Sequence, residues 1–247
     1  MTELARVTGD AALAHFRTDL SVETKADGSP VTVADRGAEA LAREWIGRHF
    51  PADGILGEEH GVAQPGARRR WIVDPIDGTK AFVRGVPLWA TLIAVADRES
   101  ILAGAIYCPA AGEMVTAALG EGAWANGSRC AVSSVASLAE ATILTSDDRF
   151  FDRPDRGARW AALEAAVPVA RTWGDGFGYL MVATGRAEVM ADCTMAAWDA
   201  AAPLIVVTEA GGAFTDWSGR STAFGGGGIA TNLALASAVR AALLEAQ

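Results

Sequence analysis

Between Ala34 and Phe50 the apolar residues Ala38, Leu41, Ala42, Trp45 and Ile46 return at three- and four-residue offsets. That is the period of one helix face, and Pro51 ends it. Trp71-Ile72-Val73 then reads as a short strand closed by Asp74-Pro75, because proline lacks the ladder N–H and restricts the residue before it. Leu88–Ala96, Ile101–Tyr107 and Glu113–Ala117 follow as strands separated by polar or Gly/Pro turns, and Asn126-Gly127 is a tight-turn signal. This middle stretch is expected to form an antiparallel or mixed sheet.

After Val135 strands and helices alternate. Strands are expected at Ala141–Leu144, Val169–Thr172, Ala187–Met190, Gly212–Trp217 and Ile229–Thr231. Helices are expected at Ala158–Ala166, Phe177–Thr184, Ala196–Ala210 and Ala234–Ala246, the third stopped by Gly211-Gly212. No repeat of 20 to 50 residues is visible, and no long linker separates independent domains. Two halves are expected, 1–134 and 135–247, within a mixed α+β (α/β) chain.

The 247 residues are 51% hydrophobic, enough for a sizeable core. With 21 Lys+Arg against 30 Asp+Glu, the net charge of -9 argues against a nucleic-acid or anionic-membrane surface as the main partner. Cys108, Cys130 and Cys193 are odd in number and widely spaced, as expected of reduced thiols rather than a disulfide scaffold. The first 20 residues carry Glu3, Asp10 and Asp19, and no 18-residue window is apolar and uncharged, so neither a secretory leader nor a membrane span is expected. A cytoplasmic protein is the simplest expectation.

The chemistry concentrates in Trp71-Ile72-Val73-Asp74-Pro75-Ile76-Asp77-Gly78-Thr79, with Gly57-Glu58-Glu59 upstream. Carboxylates here sit where a strand opens into a turn. Gly78 lets the backbone approach a ligand, and the amides beyond it start a helix, where phosphate oxygens are received. Asp74, Asp77 and Glu58 are hard oxygen ligands suited to Mg²⁺. Asp74 and Asp77 could instead make an Asx turn or cap the next helix, and Asp199 could cap its own helix. Capping does not explain why several acids gather in apolar surroundings, where they repel unless a cation or hydrogen bonds neutralise them.

Taken in order, Gly57-Glu58-Glu59, the Trp71–Thr79 run, Trp198-Asp199-Ala200-Ala201 and Glu209-Ala210-Gly211-Gly212 resemble the inositol monophosphatase superfamily of Mg²⁺-dependent phosphatases. The resemblance covers nearly the whole chain. It implies a layered α/β/α/β/α sandwich with the active site between its halves, and a homodimer. It assigns metal ligation to Glu58, Asp74, Asp77, Asp199 and the carbonyl of Ile76. Gly78 and Thr79 match phosphate-contacting positions, and Asp35 matches the acid that partners the threonine. Glu58 and Thr79 are then expected to orient and activate the attacking water, with Asp35 fixing the threonine hydroxyl. Asp74 is expected to bridge two metals, with Asp77 and Asp199 holding the ion nearer the leaving group.

Within the superfamily, Lys25–Asp35, Phe82–Ala94, Trp173–Tyr179 and Thr184–Met190 look most like the histidinol-phosphatase branch. Asp192 matches an acid that contacts the organic part of the substrate, and Asp175 stands where inositol phosphatases carry a small neutral residue. Two carboxylates there suit a cationic amino alcohol better than a neutral polyol. The expected reaction is hydrolysis of the small-molecule monoester L-histidinol phosphate, in histidine biosynthesis, with inositol-1-phosphate as the alternative substrate. Each local feature also has a plainer reading: Asp175 as a helix-start residue, Asp192 as a loop acid, Lys25 and Arg84 as surface side chains, and Trp89 as packing. Ser133-Ser134 lacks a nucleophile elbow, and His15, His49 and His60 lack metal-ligand spacing.

Overall fold

The computed structural model describes residues 1–26, 28–149 and 154–244. Helix α1 (Thr2–Leu13) opens the chain, and strands β1 (Val22–Thr24) and β2 (Pro30–Thr32) form a small antiparallel pair. Helix α2 (Val33–His49) follows; the Thr32 hydroxyl accepts from Ala34 N–H and the Asp35 carboxylate accepts from Thr32 N–H. Such caps contribute about 1 kcal/mol. The helix is where its periodicity predicts, but its buried face is Ala34, Asp35, Ala38, Glu39, Ala42 and Ile46, whereas Leu41 is 42% exposed.

Strands β3 (Gly54–Gly57), β4 (Gly61–Ala63) and β5 (Arg69–Asp77) lead into the one-turn helix α3 (Thr79–Phe82). Strands β6 (Ala90–Asp97), β7 (Ser100–Cys108), β8 (Glu113–Ala118), β9 (Gly122–Ala125) and β10 (Ser128–Cys130) complete an eight-stranded sheet of order β10-β9-β8-β7-β6-β5-β3-β4. All its pairings are antiparallel except β3 with β5. Asn126 and Gly127, both with positive φ, make the tight turn between β9 and β10.

In the second half, β11 (Thr142–Leu144), α4 (Pro154–Glu164), β12 (Val169–Arg171), α5 (Asp175–Ala183), β13 (Val189–Asp192), α6 (Ala197–Glu209), β14 (Ala213–Thr215), β15 (Gly228–Thr231) and α7 (Ala236–Leu243) alternate much as expected. The end of the expected last helix, 245–246, lies outside the described residues. The five strands form a sheet of order β12-β11-β13-β15-β14. Helices α1 and α2 pack on one face of the large sheet and α5 and α6 on the other; α5 and α6 also meet the small sheet. The outer face of the small sheet carries α4 and α7 through Trp160, Leu163, Leu235 and Val239. The layers are therefore α/β/α/β/α. Because the large sheet is covered on both sides, β6 is buried from Ala90 to Ala96, which is why it reads as a continuous apolar run.

Helix α4 starts four residues before the expected Ala158 and α5 two before the expected Phe177, and one further difference bears on the site. Strand β5 does not stop at Asp74; it runs to Asp77, with its register to β6 shifting between these two acids. Pro75 sits inside that irregularity, where no ladder N–H is required, and its carbonyl accepts from the Thr91 hydroxyl at 2.8 Å.

Candidate active site

The irregular end of β5 delivers the acids. One carboxylate oxygen each from Asp74, Asp77 and Asp199 lies within 4.8 Å of the others. Asp74 is buried and accepts from Ile76 N–H at 3.0 Å, so the Asx-turn reading also holds for it. Asp77 accepts from Gly176 N–H at 2.5 Å, tying β5 to the first turn of α5. Asp199, three residues past the N-cap of α6, accepts from Ala196 N–H at 2.7 Å. It caps its helix with one oxygen while its carboxylate reaches the cluster.

Burial raises the pKa of all three acids, and mutual repulsion adds to it. Asp74 is held well above the ordinary carboxylate range by desolvation, then by the charges of Glu58, Asp77 and Asp199. Asp77 is raised by desolvation, then by Asp175 and Asp199. Desolvation pushes Asp199 up to about 7 against the hydrogen bond from Ala196. Three converging hard oxygens that repel one another fit a divalent ion such as Mg²⁺.

Glu58 lies just past β3, and its N–H continues the sheet ladder to Val73. Its carboxylate stands close enough to Asp74 to raise the pKa of that acid. Lys25 donates to Glu58 at 2.7 Å and to Glu59 at 2.6 Å, so it is an ion-pair residue of this turn rather than a surface side chain. Thr79 heads α3, its hydroxyl 3.0 Å from the Ile76 carbonyl and 3.3 Å from Asp35 Oδ1. Asp35 is buried and also accepts from the Thr32 hydroxyl at 2.6 Å. Gly78 adopts φ +87°, and a Cβ there would stand 2.9 Å from Asp175 Oδ2. The backbone at Gly78 therefore presses directly against the second half of the chain.

Beside the acids opens a cleft of about 350 Å³ lined by Asp77, Asp175, Asp192 and Asp199, with Lys80, Ser146 and Tyr179. Asp175 is indeed the first residue of α5, yet with φ 53° it turns its carboxylate to the cleft. Desolvation, then the charge of Asp192, raises it to about 6. Asp192 ends β13 and is buried, accepting from Ser146 N–H at 2.9 Å and the Tyr179 hydroxyl at 3.0 Å. It is not a solvated loop acid. Ser146 also accepts from Asp175 N–H at 2.7 Å. Ser146, Tyr179 and Lys80 were not singled out by pattern, because the fold alone brings them here.

Arg84 is exposed on the turn after α3 and does not line this cleft; Trp89 is fully buried against Ile76 and Phe82. The three cysteines are free thiols. Among the described residues no helix is long and apolar enough to cross a membrane.

Residues 1–247 match the inositol monophosphatase family over their full length. The chain belongs to that family. It is a phosphatase of this family by its relatives as well. The histidinol-phosphatase of Chlorobaculum parvum is 41% identical over 92% of this chain and 88% of its own. That of Mycobacterium tuberculosis is 43% identical over 87% and 84%. A fructose-1,6-bisphosphatase/inositol-1-monophosphatase of Thermotoga maritima is 33% identical over 88% and 84%. Among solved family structures, an extragenic suppressor protein from Bartonella henselae superposes with a TM-score of 0.93 at 30% identity, covering 100% of this chain and 98% of that one.

Proposed function

We propose that the protein hydrolyses L-histidinol phosphate to L-histidinol and phosphate with Mg²⁺ as its cofactor. The observation that carries the substrate is the pair Asp175 and Asp192 on the wall of a cleft that begins at the metal-type acids. Two family relatives of 41% and 43% identity bear the corresponding name. An ammonium or imidazolium group gains from these charges, whereas a neutral polyol does not. Asp192 already spends both oxygens on Ser146 and Tyr179, so its share is the field of its charge, and Asp175 is the direct partner.

Glu58, Asp74, Asp77, Asp199 and the Ile76 carbonyl would hold the Mg²⁺. When bound, it supplies a water acidic enough to attack at neutral pH and charge to offset the phosphate oxygens. The backbone at Gly78 and Thr79 receives the phosphate, at the open start of α3. Thr79 Oγ1 accepts the proton of the attacking water while its own hydroxyl proton passes to the Asp35 carboxylate, which fixes that hydroxyl across the 3.3 Å contact. Glu58 orients the same water. No protein nucleophile is required.

The test is a phosphate-release panel at equal enzyme concentration with L-histidinol phosphate, inositol-1-phosphate, fructose-1,6-bisphosphate and a nucleotide 3′-phosphate. Highest kcat/KM is expected for L-histidinol phosphate and none without divalent metal. A preference for the inositol ester would move the protein to the other branch of its family.

A further inference from the structure

One turn beyond Asp35, α2 carries a second buried acid, Glu39. Residues four apart lie on one helix face. Both Glu39 oxygens are engaged: Oε2 accepts from Glu59 N–H at 2.6 Å, and Oε1 accepts from His60 N–H at 3.2 Å and from Arg43 Nε at 2.7 Å. Arg43 also donates to the carbonyl of Gly61. The pair therefore fills the inside of the β3–β4 turn, binding both of its ends to α2. Gly57 is what makes the approach possible, since a Cβ there would stand 2.0 Å from Glu39 Oε1. Glu39 does not line the cleft. Merely closing a two-strand turn does not need a buried ion pair, which carries a desolvation cost that apolar packing avoids. The residue that gains from a rigid turn is Glu58, set between Gly57 and Glu59.

We propose that Glu39, braced by Arg43, is a positioning residue that fixes the turn so that the Glu58 carboxylate faces Asp74. Asp35 and Glu39 on consecutive turns of α2 then set both groups that handle the attacking water, Thr79 through Asp35 and Glu58 through the turn. This rests on the metal-activated-water reading above.

The test is a double-mutant cycle on Glu39→Gln and Glu58→Gln, with Mn²⁺ binding to the substrate-free protein measured by calorimetry and hydrolysis of p-nitrophenyl phosphate measured separately. Gln keeps the volume of Glu39 but places an NH₂ against N–H donors. E39Q should weaken Mn²⁺ binding about tenfold, within the range for residues that orient metal ligands. Its far-UV circular dichroism should match wild type, and KM for the ester at saturating metal should stay within twofold. The E39Q/E58Q protein should bind Mn²⁺ no more weakly than E58Q, because the same ligand is lost by either route. Wild-type Mn²⁺ affinity in folded E39Q, or additive losses in the double variant, would overturn the proposal. Should E39Q not fold, Arg43→Gln, which keeps the acid and its amide donors, must weaken Mn²⁺ binding in the same non-additive way, and unchanged binding overturns the proposal. A wild-type protein that binds no Mn²⁺ and hydrolyses no ester would overturn the phosphatase mechanism itself, whereas normal wild type with unaffected variants overturns only the role of Glu39.

Discussion

Gly78→Ala separates the two demands that the turn between β5 and α3 makes on its glycine. At φ +87° any L-residue is strained, by about 1–2 kcal/mol. The new methyl would also lie 2.9 Å from Asp175 Oδ2 and 3.2 Å from the Leu88 carbonyl, both inside the 3.4 Å at which ordinary contact begins. Crowding of this kind adds about 1–3 kcal/mol. Gly211 supplies the control, with the same φ of +87° and nothing within 4 Å of its added Cβ. Gly211→Ala should therefore show the strain alone. For a chain of this size about 2–4 °C of melting temperature accompanies each kcal/mol. The expected drops are about 2–8 °C for G211A and about 4–20 °C for G78A, read by circular dichroism in EDTA. The Leu88 carbonyl is backbone and cannot swing aside, so part of the yield falls on the Asp175 carboxylate. KM for L-histidinol phosphate should rise in G78A and stay unchanged in G211A. Equal melting temperatures, or an unchanged KM in G78A, would refute the crowding argument.

Asp77→Asn should weaken Mg²⁺ activation at least tenfold while raising the melting temperature of the metal-free protein, since one of three mutually repelling acids is neutralised; a Mg²⁺ titration and an EDTA melt check both, and unchanged activation would remove Asp77 from the ligand set. The raised pKa values also fix a pH trend. Asp175 near 6 and Asp199 near 7 bind protons in the folded chain that the unfolded chain, with ordinary values near 3.8, has already released. Stability held by these protonated acids is complete below about pH 4 and is lost as pH rises through 6 and 7. The stabilisation conferred by Mg²⁺ should accordingly be larger at pH 8 than at pH 5, and melts with and without EDTA at the two pH values would show equal stabilisation if the acids are not coupled to the ion. Asp175→Asn should lower kcat/KM for L-histidinol phosphate about tenfold or more and leave inositol-1-phosphate within about threefold, measured side by side; equal losses would place Asp175 in the chemistry rather than in recognition.

The parts of the site that are legible in sequence are those whose local structure and chemistry are written by the same residues. Asp74-Pro75-Ile76-Asp77-Gly78 interrupts a strand, supplies two acids of the cluster that could hold a metal and frees a backbone at once, so reading the turn is reading the site. Even there Pro75 misleads by one step: it marks an irregularity within β5, not its end, because a neighbouring strand can accommodate a missing N–H. Helix α1 escapes pattern reading because its buried positions are Leu4, Ala5, Thr8, Gly9 and Ala12, mostly small residues chosen for close packing rather than for hydrophobic contrast. Strands β1, β2, β4 and β10, three residues each, are defined by their partners more than by their own alternation. Leu41, which fits the helical period, is exposed, while the acids Asp35 and Glu39 take the buried face of α2.

That exchange of an apolar for an acidic residue on the buried face of α2 links fold to function. A helix optimised only for its core would present leucine where Glu39 lies. Instead the polar positions recur every four residues, Asp35, Glu39 and Arg43, and they reach two separate turns: Asp35 the start of α3, Glu39 and Arg43 the β3–β4 turn through the amides of Glu59 and His60 and the carbonyl of Gly61. The cost of burying these charges falls on stability, and the benefit is that Thr79 and Glu58, 21 positions apart in sequence, are referenced to one rigid rod. On the other side of the cleft Asp199 and Asp175 are likewise fixed at the starts of α6 and α5. The proposed ligands and substrate acids thus hang on helix starts and strand ends from both halves, and the proposed reaction depends on the α/β/α/β/α stack holding those ends in register.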